Sequence, residues 1–112
     1  MDRIQYAGNS VLTGTAIAQA LLAYAQALSV TGQSAMIEIP SLKPDGSLER
    51  AMFLIGPSSE VMSESETSTF AEVVDEALVN RLQRRSRLLG DKTAVAGAPS
   101  QSSSELDDLG LN

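Results

Sequence analysis

Few side chains in this chain have the type and spacing that chemistry needs. Serine is abundant, but none stands in Gly-x-Ser-x-Gly and no histidine exists to activate one. Neither Lys43 nor Lys92 stands in Ser-x-x-Lys spacing, so a Ser–Lys dyad is not supported either. Glu60, Glu64 and Glu66 form an acidic run that could gather a hard cation. The run lacks the glycine-spaced loop of a calcium hand and reads as a solvated linker instead. The segment from Gly8 to Gly14 has neither the lysine nor the spacing of a phosphate loop. Two groupings remain. Arg81, Arg84 and Arg85 fall on one side of a predicted helix, with Arg87 off to another side, and could dock an anion. Near the end of the chain, Glu105-Leu106-Asp107-Asp108-Leu109 and Leu111 set leucines among carboxylates, a composition that suits an apolar groove with a basic rim.

Both groupings have a plainer reading. Cations near a helix C-terminus complement the macrodipole whatever their function. No aromatic is interleaved with the arginines for base stacking, and the formal net charge is −6, which disfavours nucleic acid as a partner. Acidic leucine-bearing tails also arise by chance.

The composition bounds the rest. A chain of 112 residues suits one domain. It has no cysteine and no histidine, which removes disulfides, thiolate nucleophiles and the commonest general base and metal ligand. No catalytic residue, cofactor or metal site is therefore expected. Aromatics are 4% with no tryptophan, so aliphatic residues must fill the core. No charged residue occurs between Arg3 and Glu38, but Gln19, Gln26 and Ser29 interrupt the apolar run, and Gly14 and Gly32 bracket it. What remains is shorter than the roughly 20 apolar residues a bilayer span needs. Ala23-Tyr24-Ala25 resembles a signal-peptide cleavage site, but Asp2 weakens the positive region that should precede it. A cytoplasmic protein with no membrane attachment is expected.

The elements follow from pattern. Residues 3–7 alternate in polarity as a strand, Gly8-Asn9-Ser10 turns the chain, and Val11-Leu12 return. A helix at 15–30, capped by Thr13 or Thr15, repeats Ile17, Leu21, Ala25 and Leu28 at spacings of three and four, and Gly32 stops it. Its many alanines keep it thin. Residues 35–39 and 48–55 pair as a hairpin around Lys43-Pro44-Asp45-Gly46. Met52 and Leu54 point to one side and Ala51, Phe53 and Ile55 to the other, and two apolar faces predict a central strand. Residues 60–64 add a short edge strand, and 63–68 a polar linker. Thr69 and Glu72 fit a capping box opening a second helix at 69–89, which Gly90 ends. Its apolar stripe is Val74, Leu78 and Leu82.

Tyr6-Ala7-Gly8, the helix around Leu21 and Leu22, and Ile55-Gly56-Pro57-Ser58-Ser59 resemble small uncharacterised actinobacterial proteins. In those, a Tyr-x-Gly element precedes an Ala/Leu-rich helix and a later strand runs into a Pro-small-Ser turn. The resemblance covers about the first half of the chain. It implies a fold and carries no function.

The sequence thus predicts an α+β fold: a small, mainly antiparallel sheet with one central helix packed on it, a second C-terminal helix and a disordered tail. Residues 1–65 would form the core domain, 66–90 an amphipathic helix either docked or partly detached, and 91–112 a disordered acidic tail. The function expected is that of a non-enzymatic interaction module. It would bind a partner protein, or itself, through Val74, Leu78 and Leu82 or through Leu106, Leu109 and Leu111. A nucleic-acid accessory role for Arg81, Arg84 and Arg85 is the alternative, and a minimal carboxylate enzyme the third.

Overall fold

The computed structural model describes residues 1–96. The fold is α+β, with five antiparallel strands in one sheet and two helices among the described residues. The strands are β1 (Asp2–Tyr6), β2 (Asn9–Thr13), β3 (Ala35–Leu42), β4 (Leu48–Ile55) and β5 (Val61–Ser65), in spatial order β4-β3-β2-β1-β5. Helix α1 (Thr15–Thr31) connects β2 to β3, and α2 (Glu76–Ala96) follows the sheet. No helix among the described residues is long and apolar enough to cross a membrane.

The β3–β4 hairpin follows from its turn. Asp45 accepts from the Ser47 N–H at 2.9 Å and from its hydroxyl at 2.6 Å, and the Gly46 N–H donates to Lys43 O at 2.9 Å. This sets the register from Leu42↔Leu48 through to Ala35↔Ile55. β3 runs on through Pro40, beyond the predicted end at residue 39. A proline removes a ladder donor. The sheet tolerates it because β2 meets β3 at one pair, Leu12↔Leu42, and Thr13 Oγ1 donates to Pro40 O at 2.7 Å.

β4 lies at the sheet edge and not at its centre. Ile37, Ile39, Phe53 and Ile55 point into the core, whereas Met36, Met52 and Leu54, on the opposite face, stand about 60% exposed. Apolar residues on both faces predict a central strand, but β4 is an edge strand with one face open. The sheet also curls. Tyr6 at the end of β1 donates its hydroxyl to Leu54 O, and its ring packs on Phe53 with centroids 5.3 Å apart. It thereby joins strands three places apart in the sheet order.

Helix α1 buries Ile17, Ala18, Ala20, Leu21, Tyr24 and Leu28. Gly32 closes it with φ 70°, as expected. Its start differs from expectation. The N-cap is Gly14, which has no side chain to give, and the Thr15 N–H donates to Glu72 Oε2 at 2.7 Å. Glu72 Oε1 also pairs with the amino group of Met1 at 3.2 Å.

That contact overturns the predicted capping box. Residues 66–75 form an extended strap and not a linker followed by helix. Glu66 accepts two hydrogen bonds from Arg3, at 2.6 and 2.7 Å. The Phe70 ring occupies the place a side chain at Gly46 would need, with ring carbon 2.4 Å from an added Cβ. A Cβ on Gly14 would lie 1.8 Å from Val73 O, so glycine is required there by close backbone approach. The cap of α2 is Asp75, whose carboxylate accepts from the Leu78 N–H at 3.0 Å.

α2 then passes through Gly90 and reaches Ala96. Glycine inside a helix costs about 1 kcal/mol, which does not by itself end one. Leu78, Leu82 and Leu89 join the core cluster with Leu21, Leu28 and Ile39. Residues 66–90 are thus docked on the core and do not stand apart.

Two outcomes follow. Leu82 is 1% exposed, so Leu82→Ala should lower unfolding free energy by about 2–5 kcal/mol in urea titration. Arg3 holds the Glu66 carboxyl below the ordinary carboxylate range, and the Thr15 N–H does the same for Glu72. Their contribution is full above that range and is lost as pH falls through the lowered native values. Thermal midpoints should therefore hold from neutral to mildly acid pH and fall below it, with a shallower fall in Glu72→Gln.

Candidate functional site

The docking of α2 leaves a groove of about 610 Å³ between it and the β3–β4 hairpin. The helix wall is Asp75, Leu78, Arg81, Leu82 and Arg85. The hairpin wall runs from Met36 to Pro40 on β3 and from Leu48 to Arg50 on β4. Arg81 and Arg85 are one helical turn apart and therefore share a face. Leu78 and Leu82 lie beneath them at the helix–core boundary. Met36 and Leu48, each more than 60% exposed, supply the open apolar surface.

The charges are uneven in their freedom. Glu38 is paired with Arg50 across the hairpin at 3.0 Å. Asp75 is engaged as the α2 cap. Among the described residues, Arg81 and Arg85 have no carboxylate partner, nor has Arg84. Glu49, on the β4 side, is the unpaired carboxylate of the lining. The groove thus keeps a basic wall on the helix and a neutralised wall on most of the hairpin.

The macrodipole does not account for those arginines. With α2 continuing to Ala96, no basic residue lies in its last turn, and Arg81 to Arg85 sit in its N-terminal half. Like charges at spacings of three and four are destabilising there.

The structure divides the residues expected from sequence. Leu78, Leu82, Arg81 and Arg85 come together at the groove, but Leu78 and Leu82 are 3% and 1% exposed, so the stripe proposed for a partner is mostly spent on the core. Val74 is exposed but precedes the helix, beside a separate hollow of about 160 Å³. Arg84 is exposed outside the groove. Leu106, Leu109 and Leu111 lie outside the described residues, as does most of the predicted tail. Sequence reasoning missed Met36, Glu38, Leu48 and Arg50. The hairpin register could have shown Glu38 and Arg50 as diagonal neighbours, since Glu38 faces Met52 and Pro40 faces Arg50.

Among the described residues no group of three or more acidic side chains is placed to hold a metal ion. Comparison with protein families, curated proteins and solved structures finds no match for the chain.

If the arginine cluster is a burden on α2, relieving it outside the groove should stabilise the protein. Arg84→Gln is expected to raise unfolding free energy by roughly 0.2–0.5 kcal/mol at low ionic strength. The gain should shrink in high salt, as measured by paired denaturant titrations.

Proposed function

We propose that this chain is a non-enzymatic protein-interaction module that holds an acidic, leucine-bearing segment in the groove between α2 and the β3–β4 hairpin. The observation that carries the reading is the pair of α2 cations, Arg81 and Arg85, left without carboxylates beside the apolar surface of Met36 and Leu48. A carboxylate on the incoming segment would meet guanidinium groups that present several donors each. A leucine would cover apolar side chains that now face water. No aromatic side chain lines the groove to stack a base. A peptide is therefore favoured over nucleic acid. The cytoplasm is the proposed location, on the cysteine-free composition.

The test is fluorescence anisotropy with a labelled model peptide in which aspartates alternate with leucines. Binding should weaken with added salt and fall at least about tenfold in the Arg81→Glu/Arg85→Glu double variant. Equal binding by a lysine-for-aspartate version of the peptide would contradict the proposal. Tighter binding of a short DNA duplex in the same assay would transfer the arginines to the nucleic-acid reading.

A further inference from the structure

The occupant the groove calls for is acidic and leucine-bearing, and the chain itself carries such a segment. We infer that residues 105–111, Glu105-Leu106-Asp107-Asp108-Leu109-Gly110-Leu111, occupy the Arg81/Arg85 groove of their own chain and compete there with an external partner. The inference rests on the reading of the groove given above and names its resident ligand.

Three observations support it. The first is charge. Three carboxylates in four positions (Glu105, Asp107 and Asp108) are opposite in charge to a wall whose arginines have no carboxylate partner among the described residues. Bringing the two together would also relieve the mutual repulsion of Arg81, Arg84 and Arg85 on α2. The second is apolar complementarity. Leu106 and Leu109 are spaced so that both can lie along one side of a short segment, and Met36 and Leu48 offer exposed apolar surface within the groove.

The third is reach. Arg85 lies eleven residues and Arg81 fifteen residues before Ala96, the last residue of α2. Those separations are about 16 and 22 Å along the helix axis. Residues 97–104 connect α2 to the acidic segment, and eight extended residues span up to about 26–29 Å. The connection is rich in Gly, Ala, Pro and Ser, with no charge or bulky apolar side chain to hold it elsewhere. The acidic segment can therefore turn back along α2 to the groove of the chain that bears it. Tethering at that distance supplies an effective concentration in the millimolar range, which favours the resident segment over the same segment on another molecule.

The decisive experiment uses the full chain and a fluorescein-labelled synthetic peptide of residues 101–112. The labelled peptide should bind the Glu105→Lys/Asp107→Lys/Asp108→Lys chain at least about fivefold more tightly than the unaltered chain, because the resident competitor is removed. Adding Arg81→Glu/Arg85→Glu should abolish binding to both. Equal affinity for the unaltered and tail-reversed chains would overturn the inference. So would failure of the peptide to bind the tail-reversed chain while the aspartate–leucine model peptide still binds it, which leaves the reading of the groove standing. Failure of both peptides sinks both. A doubled mass in light scattering that Arg81→Glu/Arg85→Glu restores to one chain would place the segment on a neighbouring copy and overturn occupancy within one chain.

Discussion

Helix α1 cannot finish its own N-terminus. It is capped by a glycine and has no acidic residue in its first turn. An N-terminal helical turn with bare N–H groups is costly when partly buried. The missing acceptor comes from Glu72, 57 positions along the chain, and the same carboxylate gathers the amino group of Met1. This one contact ties the central helix, the start of β1 and the strap after β5 to a single point. Gly14 against the Val73 carbonyl makes the fit close enough that no other residue serves there.

The strap then decides the rest. Held by Arg3 at Glu66, laid over the hairpin turn at Phe70 and pinned at Glu72, residues 66–75 deliver the chain to Asp75 in a set direction. α2 starts there and lies along α1, with Leu78, Leu82 and Leu89 completing the core. Its outer side faces the hairpin across a gap. The arginines flank the gap, and Leu78 and Leu82, turned toward the core, form its floor on the helix side. A helix that turns its apolar stripe inward must turn the residues one step away outward. The groove is thus a by-product of how α2 is hung, and its basic character comes from which residues flank the stripe.

Local signals in the sequence are legible where local chemistry governs. The Lys43-Pro44-Asp45-Gly46 turn, the β4 boundaries and the stop at Gly32 all arise from interactions within a few residues. What escaped was set from a distance. Thr69 and Glu72 have the spacing of a capping box, but Glu72 serves another helix. Gly90 has the look of a terminator, but the helix around it continues. β4 has two apolar faces, yet the layer that would cover the second is absent among the described residues. The arginines were visible, but their partners in the groove were not, because nothing near Met36 or Arg50 announces which helix will lie alongside.

Tyr6 gives the molecule an optical signature. The chain has no tryptophan and two tyrosines. Tyr24 is buried on α1, while Tyr6 spans the curl from β1 to Phe53 and the Leu54 carbonyl. Tyrosine emission from the unlabelled protein therefore arises from these two rings alone. One of them is poised where the two halves of the sheet come together, so intrinsic fluorescence doubles as a gauge of whether that seam is shut.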